Sequence, residues 1–173
     1  LYLGLYERGI VYLVKSIELD PAYLWGPYKL ASCYMRSGQF EKALYYFDKY
    51  FQLAPIEPLI LPGQYASLNI IMRRYDKAEE ILRKGEKTDP TAGWVRRYRA
   101  VLFADRGDKE QALALYRNSE VYALLGMNDE AITCLQDEIR GKIIWPYTFY
   151  QDLLNIRYYD NLRSDPRFLG IVE

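Results

Sequence analysis

The residues of this 173-residue chain best placed to do chemistry are two acidic pairs, Asp129 with Glu130 and Glu79 with Glu80. Two carboxylates share general-acid and general-base work only when they face each other across a substrate. Adjacent residues on a helix do not face one another, and acids near a helix start have an ordinary role against the helix dipole. The chain has no histidine. That removes the commonest general base, the commonest metal ligand and every Ser-His or Cys-His arrangement. Cys33 and Cys134 match no metal or redox spacing and read as buried free thiols. No catalytic, cofactor-binding or metal-ligating residue is therefore expected, and no enzyme. The run Arg96-Arg97-Tyr98-Arg99 has the forked donors to hold a carboxylate or phosphate, although a solvated helix face is the commoner fate of such a run.

Composition narrows the classes further. Half of the residues are hydrophobic and 27% are charged, enough apolar material for one domain with a buried core. Lys plus Arg and Asp plus Glu number 23 each, so no net field draws the chain to nucleic acid or to an anionic membrane. The longest apolar stretch, residues 53–72, has Glu57 as its one charge but is broken by Pro55, Pro58, Pro62 and Gly63. It reads as a loop entering a helix, not a membrane span. No signal peptide opens the chain, and the scarcity of cysteine points to a cytoplasmic location. Leu1 stands where a start methionine would, so a piece of a longer protein is expected.

The elements that would position any site come from a repeat. "YERGIVYLVKSIELDP", "QFEKALYYFDKYFQLAP", "RYDKAEEILRKGEKTDP" and "DKEQALALYRNSE" each carry a small residue followed by apolar positions at helical spacing. The small residues Gly9, Ala43, Ala78 and Ala112 are 34, 35 and 34 positions apart, and Pro21, Pro55 and Pro90 keep the same period. Ala43, Phe47 and Tyr50, at i, i+4 and i+7, share one helix face. A second helical pattern precedes each segment, as in "LWGPYKLASCYMRSG" with Leu30, Ala31 and Tyr34. The pairs predict antiparallel hairpins closed by Gly38, Gly107 and Gly126 and separated at Asp20-Pro21 and Asp89-Pro90.

This pattern resembles the tetratricopeptide repeat, a unit of about 34 residues with two helices. Residues 24–57 carry Leu30, Ala31, Tyr34, Gly38, Ala43, Phe47 and Pro55 at its consensus positions. Residues 59–92 keep Ala66, Tyr75, Ala78, Leu82 and Pro90 but lack the turn glycine, and Gly85 stands where a small helix-packing residue is usual. The resemblance implies an all-α fold, a right-handed superhelix of antiparallel hairpins with a C-terminal capping segment. Its parts would be a partial repeat at 1–21, repeats at 24–57, 59–92 and 93–117, a further hairpin at 118–140 and a cap at 141–173. The ending "YYDNLRSDPRFLGIV" is similar to the tail of tetratricopeptide regions in bacterial multidomain regulators, where they follow winged-helix, kinase or cyclase domains. Leu162 and Phe168 would then plug the last helices, with Asp165 and the two arginines as caps.

The family binds peptides or partner domains on the concave face lined by the first helices. On that resemblance the groove residues are Trp25, Tyr28, Ser32, Arg36, Ser67, Trp94, Arg97 and Val101, with Met35, Ile70 and Asp105 beside them. Trp, Tyr and Arg most often anchor interfaces, at about 2 kcal/mol or more each when central. For any one aromatic residue, packing is the commoner role. The Lys and Asn clamp with which some members hold a chaperone's terminal carboxylate is not reproduced by Tyr28, Ser32, Gln64 and Tyr98. The expected partner is a protein or peptide, not nucleic acid or membrane. A self-assembly module is the alternative, through "IIWPYTFYQDLL" with Trp145, Tyr147, Phe149 and Tyr150, so a homo-oligomer is a further possible partner. Recognition of a small ligand between helices comes third.

One irregularity remains in residues 110–135, where Ala112 and Ala131 are only 19 apart. About one helix is absent. Either one helix from Asp108 to Leu125 serves two repeats, weakened at Asn118, Ser119 and Glu120, or a loop near Asn118 is not represented, the reading the two repeat halves favour.

Overall fold

The computed structural model describes residues 3–53, 62–141 and 152–172. Among these residues there is no strand, and the helices follow one another as hairpins. The first helices are α2 (Trp25–Arg36), α4 (Pro62–Ile71), α6 (Gly93–Asp105) and α8 (Ser119–Leu124). Each is followed by its second helix: α3 (Phe40–Leu53), α5 (Tyr75–Thr88), α7 (Lys109–Leu115) and α9 (Asn128–Gly141). Before them α1 (Leu3–Leu19) packs on α2. Each hairpin's two helices pack together, while α4 touches α6 and α6 touches α8. The first helices therefore form one continuous side of an all-α solenoid.

The hairpins are specified locally. Ala43, Phe47 and Tyr50, predicted to share a face, are all fully buried, as are Ala66, Ala78, Leu82, Ala100, Ala112 and Ala131. Gly38, Gly107 and Gly126 close their first helices at φ 73, 84 and 69°, the left-handed region that glycine tolerates. In the second hairpin Arg73 occupies that turn at φ 56°. On α5 the inward face is Ala78, Ile81, Leu82 and Gly85. Its outward face carries helical ion pairs, Lys77–Glu80 at 2.8 Å, Lys84–Glu80 at 2.6 Å and Arg83–Glu79 at 3.3 Å. A Cβ on Gly85 would lie 2.3 Å from Trp94 Cη2, so the missing side chain makes room for the indole of α6.

Of the two readings of the irregular stretch, the one fused helix from Asp108 to Leu125 does not form. α7 ends at Leu115, Tyr116 turns extended at φ −154°, and α8 starts afresh at Ser119. Asn118 is its cap, accepting a hydrogen bond from the Val121 amide at 3.1 Å. The residues that weaken a long helix are the start signal of a short one. The deficit is thus divided between the end of one second helix and the start of the next first helix.

After residue 151 the chain makes a helical turn over 152–155, a 3-10 segment (Arg157–Leu162) and a last helix, α10 (Pro166–Val172). Leu162 and Phe168 are buried as a plug, and Phe168 stacks on Tyr159 with ring centroids 6.3 Å apart. Asp165 accepts from the Arg167 amide at 2.9 Å at the start of α10, and Arg163 donates to the Leu154 carbonyl at 2.7 Å. Residues 54–61 of the apolar stretch 53–72, and the aromatics Trp145, Tyr147, Phe149 and Tyr150, lie outside the described residues. Among those described, no helix is long and apolar enough to cross a membrane.

Candidate functional site

The first helices form the side on which the sequence places the groove residues, and this chain lays its own C-terminal segment along it. The contacts run in chain order. On α2, Arg36 Nη1 donates to both Asp152 oxygens at 3.0 Å, and Asn155 Nδ2 donates to the Arg36 carbonyl at 2.7 Å. On α4, the Tyr158 hydroxyl donates to the Ser67 carbonyl at 3.1 Å, and Arg157 donates to the Ile71 and Ile70 carbonyls at 2.8 and 2.9 Å. On α6, the same guanidinium grips Asp105, with Nη1 to Oδ1 at 2.6 Å and Nη2 to Oδ2 as the second arm. On α8, Asn161 donates to the Ala123 carbonyl at 3.1 Å, and the Ser119 and Tyr159 hydroxyls lie 3.2 Å apart. Beyond it Arg167 reaches Asp129 of α9 at 2.8 Å.

Two physical effects hold this strap. Leu153, Ile156, Tyr158, Tyr159 and Leu162 are at most 4% exposed, and a fully buried side chain of this size contributes about 1.5–3 kcal/mol. Asn155, Arg157 and Asn161 also donate to carbonyls in the last turns of α2, α4 and α8, where intrahelical partners run out. Asp105, whose side chain is 5% exposed, is satisfied by Arg157 and by the Tyr75 hydroxyl at 2.8 Å. Burial pushes the Asp152 carboxyl up to about 6 against the opposing pull of Arg36. Burial also raises the Tyr158 and Tyr159 hydroxyls well above the usual phenol range.

The groove residues expected from the sequence divide into three groups. Arg36 and Ser67 meet the strap, as does neighbouring Asp105. Trp94 and Val101 serve packing: Val101 is fully buried, and the Trp94 indole sits on Gly85 with a buried Nε1 that has no hydrogen-bond partner. Trp25, Tyr28, Ser32 and Arg97 form the remainder. Trp25 is 40% exposed, with its ring 6.1 Å from Tyr28 and 6.2 Å from Tyr50. Ser32 donates to Gln64 at 2.8 Å. Arg97 makes a two-armed pair with Glu120 of α8 at 2.8 and 3.0 Å, and Glu120 holds the guanidinium firmly in its charged form. Arg96 lies over the Tyr116 ring, and Arg99 pairs with Glu86 at 3.0 Å. The "RRYR" run is thus spent on three different intramolecular partners.

Sequence reasoning missed Asp152, Asn155, Arg157 and Asn161. Their polar side chains alternate with the apolar set of the strap, which marks a segment docked on one face, but nothing local says which face. Among the described residues no group of three or more Cys, Asp or Glu is placed to hold a metal ion. The buried carboxylates Asp105 and Glu120 are each paired with an arginine, Arg157 and Arg97.

No curated protein matches this chain. The family model of the tetratricopeptide repeat matches residues 28–55, the segment that holds α2 from Tyr28 onward and α3. That repeat is a non-catalytic fold that mediates protein–protein interaction, and the hairpins after residue 55 continue its helical pairing. The chain folds as an all-α solenoid resembling that of tetratricopeptide repeats, with its first-helix side strapped by its own C-terminal segment.

Proposed function

We propose that this protein is an interaction scaffold that takes a peptide or partner domain on the part of the first-helix face that the strap leaves open. The observation that carries the reading is Trp25, which stays 40% exposed while leaning on a cluster of Tyr28, Phe47, Tyr50, Phe51 and Tyr65. A rigid, half-open aromatic backed by other rings is the usual form of an interface anchor. Tyr28, Ser32 and Arg97 extend the surface along α2 and α6. Ser67, Arg36, Trp94 and Val101 act from behind it, by fixing the helices. The likeness of the tail to that of bacterial multidomain regulators supports a place in a larger cytoplasmic regulatory protein. Titration of candidate partner domains against the wild type, Trp25→Ala and Arg97→Ala tests this. Each substitution is expected to weaken binding about 10- to 30-fold; unchanged affinity in both refutes the assignment.

A second reading, self-association, is favoured by α1. Tyr12 and Leu19, seven residues apart and so on one helix face, are 73% and 78% exposed, with Val11 at 65% beside them. A second copy of the chain is the occupant in this reading. Light scattering over a range of concentrations decides it: a mass that doubles and reverts in Tyr12→Glu supports it, and a constant monomer mass excludes it.

A further inference from the structure

A second surface lies away from the strap, where the α4–α5 turn meets the α6–α7 turn. Arg73, Arg74, Tyr75, Asp76, Lys77 and Arg106 line an open cleft of about 360 Å³. Arg73, Arg74 and Arg106 are exposed, and among the described residues none has a carboxylate within ion-pair distance. Elsewhere Arg36, Arg83, Arg97, Arg99, Arg140, Arg157, Arg163 and Arg167 are paired with carboxylates, while Arg96 rests on the Tyr116 ring and Arg117 on the Leu113 carbonyl. With 23 basic and 23 acidic residues overall, three unpaired guanidiniums in one cleft are a local concentration, not a reflection of a basic protein. Asp76 is the cleft's one acid, and Lys77 turns away to Glu80 at 2.8 Å.

Two features make the cluster more than a solvated rim. Arg106 is set in place: its guanidinium carbon lies 5.1 Å from the centre of the Tyr75 ring, and that ring is fixed by its hydroxyl bond to Asp105, itself held by Arg157. Arg73 sits at φ 56° in the one described hairpin turn that does not use glycine; the other three place Gly38, Gly107 and Gly126 there. Folding alone favours glycine at such a position. A residue kept against local preference marks a role for its side chain, and here that side chain is a guanidinium on the cleft.

We propose that this cleft docks an acidic segment of a protein partner, its carboxylates taken by the forked donors of Arg73, Arg74 and Arg106. Bidentate guanidinium–carboxylate pairing suits a cleft of this size, and charge complementarity supplies the attraction. The choice of a protein as the partner rests on the scaffold reading above; the anionic chemistry does not.

The test uses a fluorescent hexaglutamate peptide followed by anisotropy with the full chain at low ionic strength, beside a labelled single-stranded oligonucleotide and inorganic phosphate as competitor. The wild type is expected to bind the peptide, with affinity falling steeply as salt is added. Arg74→Ala with Arg106→Ala should weaken it at least 10-fold. Arg73→Gly should weaken it several-fold while raising the melting temperature, because glycine relieves the left-handed turn. Trp25→Ala should leave it unchanged, so failure of the first-helix reading and failure of this one are told apart. The proposal is overturned by absence of binding to the wild type or by equal affinity in the double variant. An oligonucleotide that binds as tightly as the peptide overturns it, as does millimolar phosphate that abolishes the peptide signal. A melting temperature lowered by Arg73→Gly overturns the reading of that residue.

Discussion

Replacement of Arg157 by alanine removes the strongest single tie between the strap and the first helices. The guanidinium makes two bonds to Asp105 and one each to the Ile70 and Ile71 carbonyls, in a side chain 22% exposed. One partner removed from a fully buried ion pair costs about 3–5 kcal/mol, since the other charge stays behind. Here the partial exposure and the remaining Tyr75 bond to Asp105 soften the loss, which places the expected cost at about 3 kcal/mol. In a chain of this size that lowers Tm by roughly 6–12 °C. The transition should change shape as well. A solenoid in which each repeat touches only its neighbours melts piecemeal, and the strap couples α2, α4, α6 and α8 directly. Urea unfolding followed by circular dichroism is therefore expected to show a lower midpoint and a shallower slope in Arg157→Ala. A cycle with Asp105→Asn should return a coupling of about 1.5 kcal/mol or more. A loss below about 0.5 kcal/mol with an unchanged slope would refute the strap as a structural tie.

Gly85→Ala gains about 1 kcal/mol of helix propensity but drives a methyl group into the rigid Trp94 indole, so the net change should be a loss of about 1–2 kcal/mol by thermal melting. In a Trp94→Leu background the same substitution should become neutral or stabilising. Asp152, raised to about 6 by burial, binds its proton more readily in the folded chain than in the unfolded one. Stability should fall as pH rises from about 4 to 6, and Asp152→Asn should flatten that slope, as read from urea midpoints across the range. Burial and the neighbouring Glu138 push the Cys134 thiol up to about 11, so alkylation at pH 8 should be roughly 100-fold slower than for a free thiol, by mass spectrometry of the modified peptide.

The hairpins were legible because their determinants are local. A small residue at a 34-residue period, an i, i+4, i+7 face such as Ala43, Phe47 and Tyr50, and a glycine past the helix end need only short-range physics. The break at Tyr116–Asn118 was legible too, since Asn118 before Ser119 and Glu120 is a helix start, but the repeat period drew attention to what was absent. The path of the strap was not. Asp152 and Arg36 are 116 positions apart, and no helical or strand period links them. Nor does a groove position state whether its side chain faces a partner: Trp94 holds the register of exposed Trp25 and Val101 that of Ser32, yet helix approach at Gly85 turns the first into core packing and burial closes over the second.

The central claim is that residues 152–162 lie along the first helices of the same molecule, and the most direct measurement is nuclear Overhauser contact in dilute monomer. The geometry predicts cross-peaks from the Tyr158 ring protons to Ser67 of α4 and from the Tyr159 ring to Ser119 of α8. Tyrosine rings at solvent-exposed chemical shifts with no such cross-peaks would contradict it.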